Sequence, residues 1–281
     1  MVKSNCNLVY LQSAFLDAMA TNWDAIIVNN YEGIFPLPFR KKWGIKYVYP
    51  PAFLQQLGLC TTNDKITVLD ILPLLIQHFK YADLHLNFTN KQQENSIEKT
   101  NYILPLSKDY NYCVANYSND LRKNLKKSKK ESLIYAKENN ISLAISLYRS
   151  QYQNRHKSIT DLDYKNFEKL CLGLLKKDKV FTRAVYSNNK ELLSIALFLF
   201  DNNRMYNVMN TTTSEGKLVS ANHFLFDKII EEFAGSGFIL DFEGSDLQGV
   251  KSFYENFNPV NEPYYYLKIN ELPTLLKLLK K

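Results

Sequence analysis

Apolar positions recur with a period near two in some stretches and near three and a half in others, so the chain predicts alternating strands and helices. Trp23 to Val28 and Ile34 to Phe39 predict paired strands, with Asn29-Asn30-Tyr31-Glu32-Gly33 as turn chemistry between them. Pro36 and Pro38 place the second strand on an edge, because proline cannot donate to a ladder. Arg40-Lys41-Lys42-Trp43-Gly44 predicts a basic turn into a short strand, Tyr47-Val48-Tyr49. A helix is expected over Asp70 to Tyr81, with Pro73 in its first turn, and a strand over Tyr81 to Phe88. The polar run 89–100 predicts a loop, and Asn101 to Leu106 a further strand. Residues 1–115 therefore read as one mixed α/β unit.

In residues 116–281, Ser118 is placed to cap a basic helix reaching Asn139, with Leu121, Leu125, Ser132 and Ala136 on its apolar side. Thr160 caps the next, which carries Phe167, Leu170, Cys171 and Leu174 at helical spacing. Three strands follow, Val180 to Tyr186, Leu192 to Phe200 and Met205 to Met209, with Asn188-Asn189 and Asn202-Asn203 as turns. Then come a helix over Leu218 to Ala234, stopped by Gly235 and Gly237, and a buried strand, Phe238 to Phe242, ended by Gly244 and Ser245. A short helix, Gly249 to Phe257, and a last strand, Tyr264 to Ile269, complete the order α-α-β-β-β-α-β-α-β.

Composition narrows the class. With 281 residues the chain can bury a sizeable core without disulfides or a structural metal. The longest apolar run, Leu192 to Phe200, is far short of the ~20 residues a membrane span needs. Asn5, Asn7, Gln12 and Asp17 interrupt any signal-peptide core, and Cys6, Cys60, Cys113 and Cys171 form no C-x-x-C pair. A zinc ribbon or a thioredoxin-type site is thus disfavoured, and the expected compartment is the cytoplasm. Lys and Arg exceed Asp and Glu by 35 to 28, a net +7 that favours a polyanionic partner: a nucleotide cofactor, tRNA or a membrane surface.

The element order, together with Gly249-Val250-Lys251-Ser252-Phe253-Tyr254-Glu255-Asn256-Phe257, resembles the GNAT acyltransferase fold. Asp241-Phe242-Glu243-Gly244-Ser245 ahead of it and Tyr117 to Asn124 upstream are similar to the FemABX-like branch. The run Tyr31 to Arg40 and Gln55-Gln56-Leu57-Gly58 resemble Bacteroidetes-type members of that branch. In the loop where many GNAT enzymes hold a pyrophosphate, Thr213-Ser214-Glu215-Gly216-Lys217-Leu218, only Gly216 fits the usual pattern, and Asn258-Pro259 replace the usual residues after the Tyr segment.

The resemblance implies an α/β (α+β) protein of two GNAT-like units, 1–115 and 116–281, each a mixed, mostly antiparallel sheet flanked by helices, with an acyl-donor cleft where they meet. It implies an N-acyltransferase passing an acyl or aminoacyl group from acyl-CoA (acetyl-CoA or another) or aminoacyl-tRNA to a primary amine, by direct attack and without a metal. A splay between the strands at 205–210 and 238–242 would place donor contacts on Val208, Met209 and Asn210. Gly216, Lys217 and the start of the following helix would face phosphate.

Tyr254 matches the tyrosine that protonates the leaving thiolate in many GNAT enzymes. It is equally read as a core aromatic beside Phe253 and Phe257. Asp241 and Glu243, two apart on a strand, would share one face. Glu243 is the candidate base, and Asp241 fits as well a carboxylate bonded to backbone at the following turn. His223 and His156 have no second histidine at metal spacing and read as structural. Six Lys/Arg within 122–130 predict either a solvated face or contact with tRNA or an anionic surface. The rival to an enzyme is a catalytically silent module of the same fold that binds nucleic acid or a protein partner.

Overall fold

The computed structural model describes residues 6, 8–155, 158–244 and 247–277; His156 and Ser245 lie outside these. The described residues fall into two compact units, one within 1–100 and 263–281, the other within 101–262. The boundary expected at 115/116 lies inside the second unit.

The first unit begins with a short 3₁₀ turn, α1 (Ser13–Met19), β1 (Asn22–Val28), β2 (Gly33–Lys42), β3 (Ile45–Val48) and β4 (Cys60–Thr61). It continues through α2 (Val68–His78), β5 (Tyr81–Leu86) and β6 (Ile97–Lys99). The second unit runs β7 (Tyr102–Pro105), α3 (Tyr110–Ala115), α4 (Asn119–Ser128), β8 (Ile134–Ala136), α5 (Ile141–Tyr152) and α6 (Asp161–Leu175). Then follow β9 (Val180–Tyr186), β10 (Leu192–Phe200), β11 (Arg204–Thr212), α7 (Ser214–Leu218), α8 (Ala221–Phe233), β12 (Ile239–Asp241), α9 (Gln248–Glu255) and β13 (Val260–Asn261). The chain returns to the first unit with β14 (Tyr264–Asn270) and α10 (Thr274–Lys277).

Each unit holds a mixed seven-stranded sheet flanked by helices. The first has the order β1-β2-β3-β5-β14-β6, with β4 also on β2; the second has β13-β7-β12-β11-β10-β9-β8. The second core packs Phe198 and Met205 of the sheet against Leu225, Phe226 and Ile229 of α8 and against Phe257. The first packs Phe35, Val48 and Leu84 against Ile71 and Leu75 of α2.

Several expectations are corrected. Residues 101–106 and 264–269 are strands, but each joins the other unit's sheet: β7 pairs β12, and β14 pairs β5 and β6. Local pattern reveals a strand, not its partner. The 89–100 run is a loop only to residue 96, because Ile97–Lys99 adds to the sheet edge. The basic helix, capped through Ser118 Oγ and the Leu121 N–H (3.0 Å), ends at Ser128 rather than Asn139. Ser132 turns left-handed (φ 47°) and Ala136 pairs with Ala184, so α5 is a separate helix. The helix expected over 218–234 is two, broken where Ser220 adopts φ 57°.

The helix expected over 70–81 spans Val68–His78, and Pro73 sits in its second turn. The carbonyl that Pro73 cannot satisfy belongs to Leu69, an exposed residue. β2 is not an edge strand. It pairs with β1 along one side and with β4 and β3 on the other, at 33–34 and 39–42. The stretch 35–38 on that second side has no strand partner among the described residues. Pro38 accepts there from the Tyr49 N–H (3.1 Å), and a strand residue's N and C=O point the same way, so the missing donors of Pro36 and Pro38 face this gap.

Candidate active site

β12 pairs in parallel with β11 over three residues, Arg204↔Ile239, Met205↔Leu240 and Tyr206↔Asp241. Beyond that the strands pair no further among the described residues. β11 runs on to Thr212, while Glu243 (φ 64°) and Gly244 (φ 53°) turn the other chain away. Just past the fork β11 is bulged: Leu197 faces Met209 and Phe198 faces Asn207, leaving Val208 without a partner on β10. A bulge bends a strand and re-aims its neighbours.

A buried ion group ties the closed end of the fork. Arg204, 5% exposed, reaches Asp241 at 2.8 Å and Glu262 at 2.8 Å. Burial works against the guanidinium charge, but Asp241 and Glu262 outweigh it and hold its pKa above the ordinary value. Asp241, fully buried, also accepts from Asn101 Nδ2 (3.3 Å) and the Glu243 N–H (2.9 Å). This is the structural reading of Asp241. The expectation that Asp241 and Glu243 share a strand face fails, because β12 ends at Asp241 and Glu243 is left-handed.

A cavity of about 440 Å³ opens in this unit. Asn210 and Thr212 line it from β11, Gly216 and Lys217 from α7, Asn222 and His223 from α8, Phe253 and Tyr254 from α9, and Tyr152 from the end of α5. Four of the residues singled out in the sequence, Asn210, Gly216, Lys217 and Tyr254, thus come together on one wall-to-wall space. Met209 is buried in the core, and Val208 and Glu243 are half-buried and do not line the cavity. Glu243 still acts on the site through its charge, as Tyr254 shows.

Tyr254 is 7% exposed, with its ring 4.6 Å from Phe242. Its hydroxyl accepts from Asn207 Nδ2 at 3.4 Å. Burial first, then the negative charge of Glu243, push its pKa above the ordinary phenol value. At neutral pH it is therefore a neutral proton donor. Gly216 is required where it stands, since a β-carbon would run into the Leu193 carbonyl. Asn210 Nδ2 donates to Asn222 Oδ1 (2.9 Å), which also accepts from Ser194 Oγ (3.1 Å), so β11 and α8 are fixed to each other at the cavity wall.

The first turn of α8 carries no acid and no side-chain cap. The Ser220 hydroxyl donates instead to Asn124 of α4 (2.9 Å). The partial positive charge of this helix start is therefore not offset by a side-chain cap or an acid in its own first turn, and Lys217 lies three residues ahead of Ser220. His223, in the same turn, has its pKa lowered by burial against the opposing charge of Asp120. Its ring meets Phe253 edge-on at 4.9 Å. His223, Asn222, Asn207 and Tyr152 were not singled out as site residues. Only His223 carried a signal, its place near a helix start.

The first unit offers a contrast. Its parallel pair, β3 and β5, meets at Val48↔Ala82, and farther along β5 the segment after β3 returns in an isolated parallel bridge, Leu57↔Leu86. The space between, lined by Leu54 and His85 among others, holds about 10 Å³. The start of α2 in this unit is capped by its own side chains, Thr67 and Asp70 forming a reciprocal capping box.

Of the basic run on α4, Arg122 is spent on the carbonyls of Val114 and Ala115 (both 2.8 Å) and Tyr117 (3.1 Å). Lys123, Lys126, Lys127, Lys129 and Lys130 are exposed. Among the described residues no three His, Cys, Asp or Glu gather as a metal site, and no helix is long and apolar enough to cross a membrane.

Three solved structures share the fold over most of the chain. FemX is 12% identical, with TM-score 0.68 over 99% of this chain and 96% of its own. The fold is FemX-like. L-PGS from Bacillus licheniformis is 12% identical, with TM-score 0.53 over 95% of this chain and 93% of its own. A tandem GNAT protein from the clavulanic acid biosynthesis pathway is 11% identical, with TM-score 0.52 over 91% of this chain and 85% of its own. The FemX-like fold consists of two GNAT-like units. No family model and no curated protein matches the sequence.

Proposed function

We propose that the second unit is an N-acyltransferase, moving an acyl or aminoacyl group from a carrier to a primary amine by direct attack. The observation that carries this reading is the parting of β11 and β12 past Tyr206 and Asp241, with a bulge at Val208 and Tyr254 on the wall of the cavity beyond. The free side of β11 at Val208–Asn210 offers main-chain groups to the donor's carbonyl. Gly216 lets α7 approach β10 closely, and Lys217 and the start of α8 face the carrier's phosphates. Glu243, outside the cavity lining, takes the proton of the incoming ammonium through a bridging water, and the amine attacks the acyl carbon. The bond from that carbon to the carrier's sulfur or oxygen breaks as Tyr254 protonates the departing atom, and the second proton on the new amide nitrogen restores the Tyr254 phenol.

Two carriers fit, acyl-CoA and aminoacyl-tRNA. The second draws on the lysines of α4, which Asn124 links to the start of α8. Calorimetry with acetyl-CoA and filter binding of aminoacyl-tRNA against salt test the reading. Binding of one carrier, weakened by Lys217→Glu, is expected. Failure of both to bind would overturn it and favour the silent binding module.

A further inference from the structure

The β2–β3 hairpin outruns its sheet. β1 accompanies β2 only as far as Asn22↔Phe39, and β3 meets β5 at Val48↔Ala82, so residues 40–47 form a two-stranded finger tipped by Trp43-Gly44. Three features of the tip are locally unfavourable. Trp43 and Gly44 are both left-handed (φ 51° and 80°), as a two-residue type I′ turn requires. Glycine accepts this freely, but the first position ordinarily takes Asn, Asp or Gly, and a bulky ring there is strained. Trp43 also leaves 73% of its surface exposed. Finally, Lys41 stands directly across from Lys46, a like-charge pair that opposes the pairing.

No carboxylate relieves that charge, although the Lys46 ammonium lies 5.1 Å over the Phe39 ring. No Asp or Glu occurs between Gly33 and Asn63. Among the described residues Lys41, Lys42 and Lys46 make no ion pair. Arg40 is turned inward, donating to Thr21 (3.2 Å) and lying 4.1 Å over the Tyr49 ring. Lys42 stays at the tip, its ammonium 4.7 Å over the Trp43 ring. A hairpin that only had to turn would be served better by Asn-Gly and opposite charges. Local rules broken together at one exposed point mark a functional site.

We propose that this finger docks the first unit on an anionic lipid bilayer, with the Trp43 indole in the headgroup layer and Lys41, Lys42 and Lys46 as a collar on lipid phosphates. An indole at an apex ringed by ammonium groups matches a surface that is charged outside and apolar just beneath. Single-stranded nucleic acid fits less well, because a stack needs successive exposed rings and Tyr47, the finger's other ring, is half-buried.

The test uses the full chain with vesicles of phosphatidylglycerol and phosphatidylcholine, and with phosphatidylcholine alone. Sedimentation with the anionic vesicles at low salt, loss of binding at high salt, and quenching of tryptophan emission by brominated acyl chains are expected. Trp43→Asn, which creates the preferred turn, should weaken binding about tenfold or more while the thermal midpoint holds or rises. Lys41→Glu should weaken it similarly. Absence of binding to anionic vesicles, or unchanged binding by Trp43→Asn, would overturn the proposal. So would tight binding of a single-stranded RNA oligonucleotide, lost in Trp43→Asn, without vesicle binding. Quenching in Trp23→Phe, which leaves Trp43 as the one indole, decides the matter if Trp43→Asn unfolds.

Discussion

Asn207 Nδ2 donates to Tyr254 Oη across 3.4 Å, at the level where β11 has just lost β12 as a partner. The contact uses the phenol as an acceptor, so the phenolic proton is not consumed by it. That proton, raised in pKa by burial and by Glu243, is what the proposed transfer delivers to the leaving group.

Tyr254→Phe removes the proton and keeps the ring against Phe242. Turnover should fall by about 10²–10⁴, the usual contribution of a positioned acid, while donor affinity changes little. Single-turnover kinetics beside equilibrium binding separate the two. Unchanged turnover would remove Tyr254 from the mechanism.

Gly216→Ala should lower stability by about 1–3 kcal/mol, because the new methyl meets the Leu193 carbonyl and α7 must shift. Gly173→Ala, inside α6 with open space around it, should instead raise stability by about 0.5–1 kcal/mol. Urea unfolding of both variants gives the comparison, and equal effects would contradict the packing argument.

Much of this was legible in the sequence, and the losses have physical causes. The β9-β10-β11 meander and α6 carry strong periodicity and clear caps, such as Thr160 with Asp163. Phe253-Tyr254 and Gly216 stand in blocks that resemble a family, and both reach the cavity. What the pattern could not show was long-range. β7 and β14 exchange sheets, and that choice is made by partners more than a hundred residues away, as Ile239↔Pro105 shows. Left-handed Ser132 and Ser220 break helices whose periodicity continues past them. Glu243 missed the strand face for the same reason. Asn207 gave no local sign, since its position depends on where two strands part.

Asp201 is buried, bonded by the Tyr206 hydroxyl, and its pKa is pushed up to about 6, chiefly by burial. In the unfolded chain an aspartate titrates near ~3.9. Between these values the native chain holds a proton that the unfolded chain lacks. Stability from this group is therefore greatest below the unfolded pKa and falls as pH rises through about 6. Asp201→Asn should flatten that slope and raise stability at neutral pH by on the order of 1–2 kcal/mol. Thermal midpoints across the pH range check it; a slope that survives the substitution would point to another group.

Arg204→Met leaves Asp241 and Glu262 without their shared cation in a buried place. A loss of about 3–5 kcal/mol is expected. Hydrogen exchange should quicken first at 204–206 and 239–241, the closed end of the fork. Uniform quickening across the unit would argue against a local tie.

In the proposed mechanism an open fork in the second unit grips an acyl carrier by its backbone. Amide spectra of the ¹⁵N-labelled chain, titrated separately with acetyl-CoA and with an aminoacyl-tRNA, test this most directly. With one of them the amides of Val208, Met209 and Asn210 should move together with those of Ala221 to His223. Saturating amounts of both carriers that leave those amides in place would contradict it.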